Sequence, residues 1–571
     1  MLNVMKDYRS LPDLFQDTIL CSNGYPSMFE RSGEAWKAYS WSDWQDLVLH
    51  TYALLRQRGV LRGDSVGVMC ASSPQWLVLD MAIMSLGAVT VPFFANISLH
   101  HLQFQVLDAG VTLMFVNDQS DADLVKSLAP HCDVHVWSVG NLEYSAKDRQ
   151  LLQESLKKIV PQDVATIVYT SGSTGVSKGV VLTHAHLLSQ VKATHERFSL
   201  LPEERVVSCL PLAHIFERMV MYFYVSCGVN IYFVNDVQRL GEYLREVKPH
   251  GITVVPRILE KIHDGVRENA KDLKGWKGYL MQRALDWAEH AEERKNSVPW
   301  IYQKLVYRKI CKEMGGKLKY VISGGGALNG DITVFFKHIG ISVYQGYGLT
   351  ETSPVLAVNY PGHNKAGTVG PPFPGVSIRI AADREILSKG PNTMRSYHNN
   401  EKETQEMIDA EGWLHTGDLG FMDEEGYLVV TGRKKELCKL STGKYVSPLL
   451  IEQKLQLILL VDQALVIADS YKFVSAILFI NRKAFEFFAK DKGLRGLNDE
   501  DILQSFDFLA CINATIELMN QSLNAWEHVQ KYVCILDELT IENGFLTPTM
   551  KLRRQEVFKH YRDDIEKMYE K

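Results

Sequence analysis

The sequence predicts an α/β protein with a large N-terminal domain, built of layered α/β subdomains and a small β subdomain, and a small α+β C-terminal domain. Its 571 residues exceed what one hydrophobic core supports. Short apolar runs alternate with helical stretches in the N-terminal half. After Asp418 the pattern changes to hairpin-like strands separated by Gly426 and Gly432.

The first elements show this alternation clearly. Ser40 and Asp43 have the spacing of a capping box, and an i, i+3, i+4, i+7 apolar stripe follows them, which predicts a surface helix. The runs at 65–70 and 88–92 predict strands, with a helix at 75–87 between them. The apolar stretch 219–234 is shorter than the roughly 20 residues that span a bilayer, so we expect a buried helix followed by a strand.

The second half predicts the domain organisation. Residues from about 269 to 314 form a charged, helical excursion from the α/β alternation. We place the domain boundary in the Lys-rich junction, giving an N-terminal domain of residues 1–434 and a C-terminal domain of residues 435–571. In the latter we expect strands at 464–468 and 473–480, and a helical zone that includes 526–532.

Charge and cysteine content exclude some functional classes. The chain has 62 Lys and Arg against 67 Asp and Glu, a net charge of -5, which provides no broad positive field for nucleic acid. Its nine Cys are scattered singly without a CxxC pair, which predicts reduced thiols in the cytoplasm.

The N-terminus is not expected to be a signal peptide. Peripheral membrane contact stays open, because a protein that handles an amphiphile can dock without a spanning helix.

The strongest functional signal is at residues 166–180, where a strand enters a loop rich in Ser, Thr and Gly that closes on Lys178. Glycines let backbone N–H groups turn inward as an anion nest, hydroxyls add donors, and the lysine adds charge. This pattern favours a phosphate-binding loop. It is not a Walker A loop, because Ser177 stands where that motif requires its second glycine.

Residues 169–179 closely resemble the phosphate loop of the adenylate-forming (AMP-binding) superfamily, which includes acyl-CoA synthetases, luciferases and peptide-synthetase adenylation domains. The family's usual proline before the lysine is Ser177 here. The resemblance covers roughly residues 35 to 555, and the forms of 439–448 and 546–549 are similar to those of long-chain fatty acid–CoA ligases (long-chain acyl-CoA synthetases). Further segments match in chain order: 210–218, 323–327, 344–352, 413–418, 432–436, 439–448 and 546–554.

The resemblance implies a nucleotide site. Tyr347 would stack on adenine, beside Gly325 and Gly348, and Asp418 would accept from the ribose hydroxyls. Arg433 would reach the ribose or a phosphate. The residues implied in holding the phosphates are Thr170, Ser171, Gly172, Ser173, Thr174, Gly175 and Lys178.

The resemblance also implies the catalytic groups and a moving domain. Lys551 would be the adenylation lysine, Thr350 would donate to the α-phosphate, and Glu351 would hold Mg²⁺ together with Thr170. His214 would line the acyl pocket. The C-terminal domain would swing about a hinge at Lys435 and present a loop to coenzyme A, with Ser441, Thr442 and Gly443 at its centre.

The implied enzyme is an AMP-forming acid–thiol ligase of fatty acid metabolism. It would use ATP and Mg²⁺ to activate a long-chain fatty acid as an acyl-adenylate, and then transfer the acyl group to coenzyme A, releasing acyl-CoA, AMP and pyrophosphate. Two alternatives stay open: transfer to an acyl-carrier protein, and a non-catalytic fatty-acid-binding homologue. Chain-length preference, oligomeric state and the fate of the product are not predicted.

Overall fold

The computed structural model describes residues 6–22, 26–95, 97–137, 144–170, 177–289, 298–494, 496–540, 543–547 and 552–570. Its strands in chain order are β1 (Pro26–Ser32), β2 (Ala35–Ser40), β3 (Ser65–Met69), β4 (Val89–Pro92), β5 (Val111–Val116), β6 (Asp133–Val136), β7 (Val164–Thr170), β8 (Lys178–Thr183), β9 (Arg205–Ser208), β10 (Asn230–Phe233), β11 (Gly251–Val254), β12 (Tyr320–Ser323), β13 (Val343–Gly348), β14 (Val355–Val358), β15 (Ser377–Ile380), β16 (Glu385–Lys389), β17 (Ser396–Tyr397), β18 (Leu414–Met422), β19 (Leu428–Arg433), β20 (Cys438–Lys439), β21 (Tyr445–Val446), β22 (Val461–Ile467), β23 (Val474–Ile480) and β24 (Val529–Ile535).

The α-helices are α1 (Leu11–Cys21), α2 (Trp41–Gln57), α3 (Pro74–Leu86), α4 (Leu99–Asp108), α5 (Gln119–Leu128), α6 (Ala146–Lys158), α7 (His184–His195), α8 (Ile215–Cys227), α9 (Leu240–Val247), α10 (Pro256–Asp272), α11 (Gly275–Glu289), α12 (Trp300–Tyr302), α13 (Arg308–Glu313), α14 (Gly330–Ile339), α15 (Glu401–Met407), α16 (Pro448–Leu455), α17 (Arg482–Asp491), α18 (Asp499–Leu503), α19 (Phe506–Asn520), α20 (Arg554–His560) and α21 (Arg562–Tyr569). A π-helical turn, Gln303–Tyr307, joins α12 to α13.

Two large, mainly parallel sheets dominate the fold. One has the strand order β14-β13-β12-β11-β9-β10-β1-β2 and the other β17-β8-β7-β4-β3-β5-β6. A four-stranded antiparallel sheet, β15-β16-β18-β19, follows them, and the C-terminal residues form the sheet β22-β23-β24. The predicted α/β class, with a small β unit and an α+β tail, is therefore confirmed.

Several local predictions are also confirmed. The Ser40 hydroxyl accepts from the Asp43 backbone N–H, and the Asp43 carboxylate accepts from the Ser40 N–H, which completes the capping box of α2. Strands β3 and β4 flank α3 as expected, and the stretch 219–234 is the buried end of α8 followed by β10. In the described part of the chain, no helix combines the length and apolar character needed to cross a bilayer.

The prediction of a helical zone at 526–532 is wrong. A 3₁₀ turn, Ala525–Glu527, leads into strand β24, which pairs in parallel with β23. Tertiary pairing overrides local propensity here, because β23 is apolar on both faces and needs a neighbour. On β23, Ala476 and Leu478 pack into one core while Ile477 and Phe479 pack into another, as the two-residue period of a strand requires.

Helix α8 lies between the two large sheets, and two adjacent charged residues attach it to both. The Glu217 carboxylate accepts from the hydroxyls of Ser208 on β9 and Thr253 on β11. Burial raises the pKa of Glu217 to about 7, against the lowering effect of those hydrogen bonds. Arg218 points to the other sheet, where its Nη1 donates to Thr166 Oγ1 on β7 at 2.7 Å.

Arg218 also forms a fully buried ion pair with Asp80 on α3. Its Nε donates to Asp80 Oδ2 at 3.0 Å, and the Tyr222 hydroxyl donates to the same oxygen at 2.6 Å. The Thr90 hydroxyl donates to Asp80 Oδ1 at 2.8 Å. The carboxylate is thus surrounded by donors, as a buried charge requires.

We predict that Arg218→Met destabilises the protein by about 3–5 kcal/mol, because it leaves the Asp80 carboxylate buried without its cation. Urea unfolding of the N-terminal domain measures this change. Arg239→Met is the matched control, since Arg239 pairs with Glu242 on the surface and its loss should leave the unfolding midpoint close to that of the wild type. An Arg218→Met midpoint equal to that of the wild type would contradict the prediction.

Candidate active site

The phosphate-loop prediction falls on a hairpin. Strands β7 and β8 are antiparallel, and Thr170 stands opposite Lys178 at the neck of the hairpin. The predicted residues between them, Ser171, Gly172, Ser173, Thr174 and Gly175, lie outside the described residues, as does Lys551. The structure therefore fixes the two ends of the loop and the lysine that closes it.

Lys178 meets an acidic partner at this neck. Its ammonium forms an ion pair with Glu403, near the start of α15. The same ammonium lies 5.2 Å from the centre of the Tyr397 ring, within the range of a cation–π contact. Tyr397 and Glu403 lie beside Lys178 because β17 pairs with β8, with Tyr397 opposite Val180.

Glu351 belongs to the same cluster through Tyr397. The Tyr397 hydroxyl donates to Glu351 Oε1 at 2.7 Å, and the Glu351 carbonyl accepts from the Met394 N–H at 2.8 Å. Burial and the neighbouring Glu351 carboxylate raise the pKa of the Tyr397 hydroxyl, which keeps it a donor. Thr350 precedes Glu351 in the 3₁₀ turn Thr350–Thr352, so both predicted residues lie on one tight turn after β13.

A second cluster unites Tyr347, Asp418 and Arg433. The Tyr347 hydroxyl donates to Asp418 Oδ2 at 2.8 Å, and Arg433 Nε lies 3.1 Å from Asp418 Oδ1. Asp418 and Arg433 stand directly opposite each other on β18 and β19. Asp418 is 3% exposed whereas the Arg433 side chain is half-exposed. Burial, followed by the Asp418 charge, holds the pKa of Tyr347 well above its usual value.

Two glycines shape the loops around these clusters. A Cβ on Gly348 would lie 1.7 Å from the Pro354 carbonyl oxygen, so only glycine fits there. Gly325 has a φ of +77°, in the left-handed region that glycine occupies without strain. Its neighbour Gly324 packs on the Phe216 ring, where a Cβ would approach to 2.8 Å. The backbone after β12 can therefore approach a ligand closely.

His214 caps α8, where its Nδ1 accepts from the Phe216 N–H at 3.2 Å. Phe216 in turn lines a narrow apolar cavity of about 50 Å³ between α7, α8 and the strands β11, β12 and β14 of the sheet. Other walls of the cavity are Phe198, Met219, Val220, Phe223, Tyr224 and Phe373. Of the aromatic run 222–224, Tyr222 instead bonds to the buried Asp80.

The C-terminal residues contact the N-terminal domain near this site. The Arg257 guanidinium on α10 pairs with Asp462 and donates to its carbonyl oxygen at 3.0 Å. Burial, His100 and Arg553 lower the pKa of His101, and His101 Nδ1 lies 3.1 Å from the Ser177 hydroxyl.

The predicted hinge and the predicted coenzyme A loop lie on the surface. Lys435 is in the exposed 3₁₀ turn Lys434–Glu436, directly after Arg433. Ser441, Thr442 and Gly443 form the exposed turn of the β20–β21 hairpin, where Gly443 has a φ of +84°. Lys435, the predicted hinge residue, thus lies two positions after Arg433 of the Asp418 cluster.

Sequence reasoning missed Tyr397 and Glu403. Neither belongs to a segment that we matched, and they meet their partners across 46 and 225 residues of chain. Nothing in the local sequence of β17 or of the first turn of α15 indicates a phosphate site. Only the β8–β17 pairing brings them to Lys178.

Comparison with known proteins agrees with this geometry. The profile described as AMP-binding enzyme matches residues 21–398, and that described as AMP-binding enzyme C-terminal domain matches residues 435–571. The long-chain-fatty-acid–CoA ligase FadD15 of Mycobacterium bovis is 33% identical, covering 90% of this chain and 89% of that protein. The peroxisomal long chain acyl-CoA synthetase 6 of Arabidopsis thaliana is 30% identical, covering 90% of this chain and 79% of that protein.

The fold also matches a solved structure, that of ATP-bound MatB from Rhodopseudomonas palustris. The TM-score is 0.70 at 21% identity, covering 97% of this chain and 99% of that one. The resemblance that the motifs predicted is thereby confirmed. The chain belongs to the AMP-binding enzyme family.

Proposed function

We propose that this enzyme is an ATP-dependent long-chain fatty acid–CoA ligase. The observation that carries the proposal is an apolar cavity that adjoins the strand and turn bearing Tyr347 and Glu351. Phe216 lines the cavity and packs against Gly324, and Val355, another lining residue, stands opposite Gly348 in the β13–β14 pair. The M. bovis and A. thaliana relatives carry the same activity in their names.

In the first half-reaction a fatty acid carboxylate attacks the α-phosphorus of ATP. A carboxylate O–P bond forms, and the P–O bond to pyrophosphate breaks. Because both reactants are anions, positive charge must offset their repulsion, and we assign this role to Lys178 and Lys551. We assign Thr350 to hydrogen bonding with the α-phosphate. No protein nucleophile is required, since the adenylate is the activated intermediate.

The nucleotide is held by the second cluster in this proposal. The Tyr347 ring offers a flat apolar face to adenine. Asp418 accepts from the ribose hydroxyls, exchanging the Tyr347 and Arg433 donors that it holds in the structure. His214, at the head of α8, lines the start of the acyl pocket.

The residues present fit a magnesium ion. Glu351 and Thr170 offer the hard oxygen donors that Mg²⁺ prefers. Among the described residues no group of three His, Cys, Asp or Glu could enclose a metal, and Mg²⁺ in such sites takes most of its ligands from phosphates and water. When bound, the ion would neutralise phosphate charge.

In the second half-reaction the thiol of coenzyme A attacks the acyl carbon. A C–S bond forms, and the C–O bond to AMP breaks. We propose that residues 435–571 rotate about Lys435 between the two steps, withdrawing Lys551 and bringing Ser441, Thr442 and Gly443 to the thiol arm.

We predict that acids of roughly 12 to 18 carbons outcompete acetate by several orders of magnitude, because each fully buried methylene contributes up to about 0.8 kcal/mol. AMP release over a chain-length series measures this, with coenzyme A and an acyl-carrier protein as competing acceptors. Gly251 lines the end of the cavity far from Gly324, so Gly251→Val should shorten the preferred chain and spare short acids. A flat profile would contradict the long-chain assignment.

We predict that Lys551→Ala abolishes acyl-adenylate formation but leaves thioester formation from synthetic acyl-adenylate largely intact. The reason is that only the first step must neutralise a polyphosphate. Separate single-turnover assays of the two half-reactions measure the split, with Lys559→Ala on α20 as the control variant. Equal loss of both steps in Lys551→Ala would refute the domain rotation.

We further propose that the surface of α12, the π turn and α13 docks on anionic bilayers. Most of its exposed side chains are apolar or basic, a combination typical of interfacial helices, with Gln303 and Glu313 as the exceptions. Trp300 is 70% exposed, and Lys304 Nζ lies 5.9 Å from its ring. The members of this surface are Trp300, Ile301, Lys304, Leu305, Arg308, Lys309 and Lys312.

Co-sedimentation with phosphatidylglycerol vesicles tests this surface. Binding should fall at least about fivefold in the double variant Trp300→Ser, Lys304→Glu, since it loses apolar burial and about 1 kcal/mol of attraction per basic residue. Phe506→Ser, at an exposed aromatic residue of the C-terminal region, should bind like the wild type. Equal binding of the double variant would exclude this surface.

A further inference from the structure

The phosphate-side lysine is already neutralised by the chain itself. Lys178 and Glu403 form an ion pair in which the side chains are 14% and 32% exposed. A polyphosphate that requires the Lys178 ammonium competes for the same charge. The Glu403 carboxylate therefore occupies an interaction that the substrate needs.

We infer that Glu403 is an internal stand-in for polyphosphate: it pairs with Lys178 while the site is empty, is displaced when ATP binds, and recaptures the lysine as pyrophosphate leaves. This inference rests on the proposed function and assigns a further positioning residue to it. Glu403 acts through Lys178 and is not itself a group that reacts.

The backbone holds Glu403 in place while leaving its side chain able to swing away. The His398 N–H donates to the Gly179 carbonyl oxygen at 2.7 Å, which ties the start of this segment to β8. The Asn400 side chain accepts from the Glu403 N–H at 3.2 Å and fixes the first turn of α15. Only the flexible carboxylate arm has to move when the ion pair breaks.

The Tyr397 ring keeps Lys178 in position during that exchange. Its centre lies 5.2 Å from the ammonium, and its hydroxyl is anchored on Glu351 at 2.7 Å. When Glu403 leaves, the ammonium retains this contact and does not have to be placed anew. The Lys178 ammonium therefore keeps its position, and only its anionic partner changes from Glu403 to phosphate.

The free energy that ATP gains at Lys178 is then the difference between the Lys178–phosphate interaction and the Lys178–Glu403 interaction. ATP gains an interaction with Lys178 and loses the one between Lys178 and Glu403, so its affinity is lower than it would be without Glu403. A partly exposed ion pair contributes on the order of 1 kcal/mol, which corresponds to about fivefold in affinity. Re-formation of the Lys178–Glu403 ion pair likewise favours release of pyrophosphate.

Calorimetry with the full chain tests this exchange in the absence of fatty acid and coenzyme A. Glu403→Gln should bind Mg²⁺-ATP and pyrophosphate about three- to tenfold more tightly than the wild type. AMP, which carries less charge, should change least. Glu401→Gln is the matched control, because it removes one negative charge from the same turn of α15 at an exposed position that contacts Gln405.

Two further variants separate this role from the alternatives. Glu403→Asp keeps the charge and should bind pyrophosphate less tightly than Glu403→Gln does. Glu351→Gln removes the carboxylate assigned to the metal and should weaken Mg²⁺-ATP binding. Weaker or unchanged pyrophosphate binding by Glu403→Gln, or equal tightening by Glu401→Gln, would overturn the inference. A wild type that binds no ATP would instead refute the proposed function.

Discussion

The buried ion pair between Arg218 and Asp80 is the constraint on which the arrangement of the two large sheets depends. Arg218 and its neighbour Glu217 fix one helix to opposite sheets through groups that are fully buried. A buried charge that loses its partner is costly, so α8 has little freedom to shift. Because Phe216 lies in the first turn of the same helix, the apolar cavity that it lines and the backbone at Gly324 are positioned by this ion pair.

Sequence reasoning predicted what is encoded locally. The capping box at Ser40, the α/β alternation, the turn carrying Glu351 and the strand carrying Asp418 each occupy a short segment with its own pattern. Tyr397 and Glu403 could not be found in this way, since their proximity to Lys178 arises from the β8–β17 pairing. The error at 526–532 has the same origin, because β24 is a strand through its pairing with β23.

The hairpin of β18 and β19 joins the residues that we assign to the ribose to the hinge that we propose. Asp418 and Arg433 stand opposite each other on it, and the turn that contains Lys435 begins at the next residue. If a ribose bonds to Asp418 as we propose, it changes the bonding of Arg433, which lies two residues before Lys435. In our proposal, nucleotide binding at Asp418 therefore affects the orientation of the C-terminal domain through adjacent residues of one hairpin.

Among the described residues, each charged group that we assign to ATP or its metal already has a partner within the chain: Lys178 has Glu403, Glu351 has Tyr397, and Asp418 has Arg433 and Tyr347. Binding therefore exchanges partners and yields only the difference between the old interaction and the new one. Such a site binds its ground states modestly, which suits a catalyst, because interactions that strengthen in the transition state accelerate the reaction and uniform binding does not. In our inference the same exchange favours release of pyrophosphate, since the Glu403 carboxylate takes its place at Lys178.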